Sequence, residues 1–480
     1  MQQSTWVQTL PFTGSIAQLL QQLSSLTALV YLQDQDQPTI AFLPQDYWCV
    51  VGDQLHYYQR HQLAQNLTQN LAQHSQHNTL EALNHYHLQA SHLHHAQATH
   101  QRLQAWQHYT PNTDVNTTSS QGFSGGYIGF VSYDEGASQF IQLQTQHAQR
   151  TQLFIGCYTS YIQYNEQQQF VFHSQDPHAE HIYHYLCQQL NSNTTSQCHL
   201  QQPCQSRWQQ SQYAHAFQQV QDYILAGDCY QINLTQEFTA TIHGELLAMA
   251  ESLWQRTQAP FSGYLKLHDF ELLSCSPELF IEWQSNRHIK TRPIKGTLPR
   301  HSDPQQDEAN KQRLQHSQKD QAENVMIVDL LRNDLSLYAE IGSVKTTKLF
   351  EVESFNQVHH LVSEVQATLK PESHPWHVLL QALPGGSITG APKIRAMQII
   401  DELEQQPRGA YCGSLGYFNF NATGRWNILI RTLQKHQQQL SIWAGGGITI
   451  ASQVDAEYQE CFDKIQAILS IVNQYVQKSS

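Results

Sequence analysis

The sequence predicts an α+β fold, on two observations: strand-period and helix-period segments are interspersed, and they do not alternate as regular β-α-β units. In chain order, residues 62–77 and 85–100 are rich in Gln and His. Apolar residues recur through them, so they read as uncharged polar surface and not as a prion-like tract. A polar stretch at 191–212 reads as a connection, dividing the chain into an N-terminal region, 1–205, and a second region, 210–476, within one large unit. Tyr213, Phe217, Val220 and Ile224 then recur at helical spacing, ended by Gly227. Tyr230, Ile232, Leu234 and Phe238 share one parity and Gln231, Asn233 and Thr235 the other, which predicts a strand whose polar face is a pocket wall or solvated sheet. Further strands are expected at 263–267, 271–283, 414–420, 426–433 and 440–443, and long helices at 319–338 and 455–476.

Composition narrows the functional classes. The 480 residues carry 26 Lys plus Arg against 39 Asp plus Glu, a formal charge of −13, which argues against a broad nucleic-acid surface. Residues 1–210 contain no Lys and only Arg60, Arg102, Arg150 and Arg207, so anion chemistry is expected in the C-terminal part. The first residues have no basic segment followed by an apolar one, and no run approaches 18 apolar residues, so a cytoplasmic protein without membrane attachment is expected. Nine scattered Cys with no C-x-x-C pair fit reduced thiols better than a disulfide framework or zinc module.

Three constellations carry chemistry. Asp320 with Glu323, and Glu457 with Glu460, are acidic pairs at i, i+3 on helices, and two such pairs facing one another would suit a hard cation such as Mg²⁺. The alternative for each is a solvated helix face. In the second helix Phe462, Ile465, Leu469 and Val472 form the expected buried stripe, leaving Glu457, Glu460 and Lys464 on another face. The segment IKTRPIKGTLPR, 289–300, concentrates Lys290, Arg292, Lys295 and Arg300. It is either a basic surface loop or the place of an amine whose pKa is lowered enough for nucleophilic work. Glu278, in SCSPELF, is a candidate general acid if buried. Glycine-rich turns at 385–393 and 444–447 offer backbone N–H groups to an anion, or are simply turns. The first runs into a helix with Ile394, Met397 and Ile400 as inner stripe, and Ala391 stands where a P-loop demands Lys. Arg431 is a candidate carboxylate clamp. His92, His94 and His95 are candidate metal ligands.

Read together and in this order, GDCYQINLTQEF (227–238), SCSPELF (274–280), TRPIKGTLPR (291–300), KDQAENVMIVDLLRND (319–334), VHHLVS (358–363), PGGSITGAPKIRAM (384–397), IRTL (430–433) and AEYQECFDK (456–464) resemble the chorismate-utilising enzymes. The likeness is strongest to the family of aminodeoxychorismate synthase component I. It covers roughly 213–475, with GGYIGFVSYD (125–134) similar to the family's sheet-edge motif. No segment matches the short leucine–acid–serine motif of a tryptophan pocket. The resemblance implies two antiparallel sheets packed together with helices outside and the site in the cleft between them. It implies that Lys295, where anthranilate synthases carry Ala, attacks chorismate at ring carbon 2 while Glu278 protonates the departing 4-hydroxyl, ammonia then displacing the lysine at carbon 4. Glu323 and Glu460 would hold Mg²⁺, with Asp320 and Glu457 in support, and His360, Ser387, Tyr417, Arg431 and Gly445, Gly446 and Gly447 would border the substrate. The implied activity is a transferase-type amination in para-aminobenzoate and folate biosynthesis. No stretch is similar to a glutamine amidotransferase, so ammonia is expected from a separate amidotransferase subunit in a heterodimer. Alternatives within the family are an isochorismate, salicylate or anthranilate synthase, and outside enzymes a non-catalytic paralogue acting as a binding subunit.

Overall fold

The polar and apolar parities of residues 230–238 become one long strand, Gln231–Gly244, in a computed structural model that describes residues 5–35, 37–52, 54–60, 84, 86–91, 122–144, 150–190, 195–354 and 358–477. Ile232, Leu234 and Phe238 are buried, and so are Gln231, Asn233 and Thr235, so the polar face is an interior wall and not solvated sheet. Tyr230 lies just outside the strand and is exposed. The helix expected before it is Gln210–Leu225, with Tyr213, Phe217 and Val220 inward. The His92, His94 and His95 cluster lies outside the described residues.

Two large sheets organise the described residues, and every strand pairing in them is antiparallel. One sets Leu29–Leu32 beside Phe261–Lys266, which pairs in turn with Phe270–Ser276, and runs on through Thr432–His436 and Gln439–Ile448 to Gln231–Gly244. The other runs from Ile294–Pro299 through Val358–Thr368, His288–Thr291, Leu279–Trp283, Gly424–Asn427 and Ser414–Asn419 to Gly126–Val131 and beyond. Both therefore mix strands from the two halves of the chain. Within the 191–212 connection, Cys198–Leu200 and Gln205–Ser206 each pair with Gln231–Gly244, which is more order than its composition implies.

Two expected strands prove to be two each, for one reason. Residues 271–283 run in the first sheet to Ser276 and resume in the second at Leu279, changing sheets at Pro277 and Glu278. Residues 426–433 do the reverse, leaving the second sheet at Asn427 and entering the first at Thr432. Continuous apolar content hides such a crossing, because both flanks are buried. The expected C-terminal helix is also two, Val454–Asp463 and Gln466–Val472, and Phe462 and Leu469 are only partly buried while Cys461, Ile465, Ile468 and Val472 pack inward. The glycines Gly445, Gly446 and Gly447 lie within the strand Gln439–Ile448, not in a turn after it. In the helix Lys393–Glu404, Met397 and Ile400 are buried but Ile394 is exposed. No helix among the described residues is long and apolar enough to cross a membrane.

Candidate active site

Glu278 and Arg431 sit at the two places where the chain changes sheets, and both line a cavity of about 420 Å³ between the sheets and the helices Gln318–Ser336 and Val454–Asp463. Lys295 reaches the same cavity from the strand Ile294–Pro299. Its neighbour Gly296 interrupts the register with Val358–Thr368, which jumps from Lys295↔Leu361 to Thr297↔His360. Gly296 has φ +77°, and a Cβ there would stand 2.8 Å from Leu314 Cδ1 and 2.9 Å from Asp320 Cγ. Only glycine allows this left-handed bulge to press against the adjoining helices.

Of the four cations in 289–300, Lys295 alone lines the cavity. Lys290 pairs with Glu282, Arg292 with Glu353 and Glu364, and Arg300 with Asp307, which also meets His359. Loss of solvation pushes the Lys295 ammonium below the usual lysine range; Glu323 pulls it back and Lys464 pushes it further down. Burial drives the Glu278 carboxyl up to about 7, against the pull of Lys295, the Ile294 N–H and Arg431. A carboxylic acid and an amine thus face one cavity, each moved towards neutrality. His360 is buried, shares a 2.8 Å hydrogen bond between its Nδ1 and Thr297 Oγ1, and is pushed down to about 4 by burial and by Arg431, so it is a neutral imidazole near pH 7.

All four expected carboxylates, Asp320, Glu323, Glu457 and Glu460, line the cavity. Glu457 is buried, its pKa raised by lost solvation and by Glu460, and it accepts a 2.7 Å hydrogen bond from Ser452 Oγ. Glu460 pairs with Lys464 at 2.6 Å, and Lys464 also donates to the Gly445 carbonyl at 2.7 Å. Glu323 lies 4.0 Å from Lys319. Gly446 backs the pair: a Cβ there would come within 3.0 Å of Glu460 Oε1 and 3.1 Å of Glu457 Oε2. Among the described residues no three His, Cys, Asp or Glu side chains form a ready-made metal cluster. The donor set fits a cation that takes one or two carboxylates, keeps waters and shares an anionic ligand, as Mg²⁺ does.

Ser387 lines the cavity from the turn Gly386–Ile388, and Gly445 and Gly447 line it from their strand. Tyr417 does not. Its hydroxyl donates to Asp34 Oδ2 at 2.7 Å, its ring packs against Phe123, and Arg425 closes the group on Asp34 at 2.7 Å. Strand parity turns it away from the cleft, and Tyr411, in no motif, lines the cavity instead. Sequence reasoning also missed Arg408. Its guanidinium, almost fully buried, bonds Glu404 at 2.8 and 2.7 Å, the Asn233 carbonyl at 2.7 Å and the Ile388 carbonyl at 3.0 Å. Asn233 Nδ2 adds 2.9 Å to the same Ile388 oxygen, so one buried ion pair fixes the wall that carries Asn233 and Ser387. The available signal was Glu404, a charge on the buried face of its helix, with Arg408 at i+4.

Against known proteins, the chorismate binding enzyme family matches residues 52–470. The chain is 46% identical over 349 residues to aminodeoxychorismate synthase component 1 of Salmonella typhimurium, covering 72% of this chain and 76% of the relative. To the Escherichia coli protein of the same name it is 43% identical over 373 residues, covering 76% and 82%. Anthranilate synthase component I from Streptococcus pneumoniae superposes with a TM-score of 0.73 at 24% identity, over 90% of this chain and 92% of that one. The menaquinone-specific isochorismate synthase from Escherichia coli gives 0.65 at 15%, over 98% and 95%. Both share the two-sheet α+β architecture. With its motifs gathered on one cavity, the family matched over most of the chain and its likeness to these relatives spanning about three quarters of it, the chain belongs to the chorismate binding enzyme family.

Proposed function

We propose that this chain is the chorismate-aminating component of an aminodeoxychorismate synthase, converting chorismate and ammonia to 4-amino-4-deoxychorismate. The observation that carries the reading is the pairing of Lys295, its ammonium destabilised, with Glu278, its acid form held up to about 7, on one cavity lined by four carboxylates. The neutral Lys295 amine bonds to ring carbon 2 while the ring double bonds shift and the bond from carbon 4 to its hydroxyl breaks. Glu278 gives that hydroxyl its proton, so water leaves. Ammonia then bonds to carbon 4, the double bonds shift back, and the electron pair of the carbon–nitrogen bond returns to Lys295. The proton shed by the attacking amine restores Glu278. Neutral His360, Ser387, Arg431 and the backbone at Gly445 and Gly447 orient the dianion. Glu323 and Glu460 would hold Mg²⁺, with Asp320 and Glu457 on its waters; when bound, the ion supplies positive charge for a substrate carboxylate among these acids. Ammonia would come from a separate glutamine amidotransferase subunit, in the cytoplasmic synthesis of para-aminobenzoate and folate.

The test is to incubate the purified chain with chorismate, an ammonium salt and Mg²⁺ and to identify products by chromatography with mass detection. Aminodeoxychorismate without pyruvate release is expected. Anthranilate with pyruvate, or isochorismate, would reassign the reaction within the family, and no consumption of chorismate would favour a binding subunit.

A further inference from the structure

The loop between the strand Gln439–Ile448 and the helix Val454–Asp463 joins two walls of the cavity, and Ser452 sits in it half-buried. Its amide N–H donates to the Thr449 carbonyl at 3.0 Å, and its Oγ accepts the Thr449 N–H at 3.1 Å. Gln221 Nε2 donates to the same Thr449 carbonyl at 2.8 Å, tying the loop to the helix Gln210–Leu225. With Oγ already engaged by an N–H, the hydroxyl proton is left for another acceptor, and Glu457 Oε1 takes it at 2.7 Å. Glu457 is 5% exposed. Its other oxygen, Oε2, stands 3.1 Å from the point above Gly446 where a Cβ would be, and Glu460 Oε1 stands 3.0 Å from that same point. Two acids on adjacent turns of one helix are thus brought side by side, although like charges repel. Lys464 holds Glu460, at 2.6 Å, and a neutral hydroxyl holds Glu457. The hydroxyl brings no charge, so what it supplies is direction.

We propose that Ser452 is a positioning residue for the cation site, its hydroxyl fixing Glu457 Oε1 so that Oε2 stays beside Glu460 Oε1 as an acceptor for the waters of a divalent cation; this rests on the function proposed above. A carboxylate free to turn would spread its oxygens over several directions, and hydrogen-bond partners of this kind are worth about 10- to 100-fold in metal affinity. The experiment titrates the full-length chain with Mn²⁺, with and without chorismate and in the absence of ammonium, following free Mn²⁺ by electron paramagnetic resonance. Thermal melting in metal-free buffer is measured alongside. Ser452→Ala should weaken Mn²⁺ binding about tenfold or more at an unchanged melting temperature, while Ser452→Thr, which keeps the hydroxyl, should bind within about threefold of wild type. The effect should run through Glu457: in a Glu457→Gln background, Ser452→Ala should change the affinity by less than about twofold. Unchanged Mn²⁺ affinity in Ser452→Ala overturns the proposal, as does a Thr variant as weak as the Ala one. So does a loss that comes with a lowered melting temperature, or one that is as large in the Glu457→Gln background. If Ser452→Ala does not fold, Ser452→Cys, close in size and a weak donor, decides. A wild-type chain that binds Mn²⁺ but does not aminate chorismate contradicts the proposed function and leaves the place of Ser452 standing, whereas one that binds no Mn²⁺ in either condition overturns the role of Ser452.

Discussion

Lys295 and Glu278 meet opposite requirements by the same physical means. An amine nucleophile must lose its proton and a general acid must keep one, and exclusion of water favours the neutral form of both. Replacing Lys295 with Ala should leave a folded, chorismate-binding protein whose amination rate falls by about a thousandfold or more, measured by product formation under saturating chorismate. Glu278 also makes a prediction for stability. Its folded pKa, about 7, lies above the ordinary 4.5, so between these values the folded state binds more protons than the unfolded one. This group's contribution therefore falls as pH rises from about 4.5 to about 7, by up to about 3 kcal/mol. Denaturant unfolding across that window should show a smaller loss with rising pH in Glu278→Gln than in wild type, and identical slopes would remove the perturbed carboxyl from the account.

At the scale of elements, the four carboxylates belong to two helices, so either helix should control the metal response. Glu323→Gln and Glu460→Gln should each raise the Mg²⁺ concentration for half-maximal activity about tenfold or more, and an unchanged metal titration in both would count against the site. Gly296→Ala meets Leu314 and Asp320 and a left-handed backbone together, and should cost about 1–3 kcal/mol in urea unfolding, with lost turnover. Much of this was legible in the sequence: the acidic pairs, Lys295 beside its glycine, and the polar parity that became an interior wall with Asn233 on the cavity. Other features were hidden for identifiable reasons. Composition makes Lys290, Arg292, Lys295 and Arg300 one basic cluster, whereas strand parity and nearby acids withdraw three of them into ion pairs. The resemblance implied that Tyr417 borders the substrate, yet it faces Asp34, while Tyr411, which no motif contains, faces the cavity. The changes of sheet at Glu278 and Arg431 leave no periodicity, because the runs on either side, 270–276 and 279–281, then 426–429 and 432–434, are buried throughout.

Across the whole molecule, described residues from before 205 are built into both sheets. Leu29–Leu32 flanks Phe261–Lys266 in one, and Gly126–Val131 flanks Ser414–Asn419 in the other. A fragment comprising 210–477 would expose two apolar edges and should fail to give a cooperative thermal transition, although it carries every residue that lines the cavity. A fragment that melted cooperatively at the full-length temperature would contradict this. The same architecture accounts for the cavity, since the positions where the chain passes between sheets bring Glu278 and Arg431 opposite the helices that carry the acids.

The most direct test of the central claim is intact-protein and peptide mass analysis of the chain quenched during turnover of chorismate with Mg²⁺ and without ammonium. An adduct of chorismate less water, mapped to Lys295 and discharged by added ammonium, is predicted. Amination at the wild-type rate in Lys295→Ala, with no adduct in either protein, would contradict it.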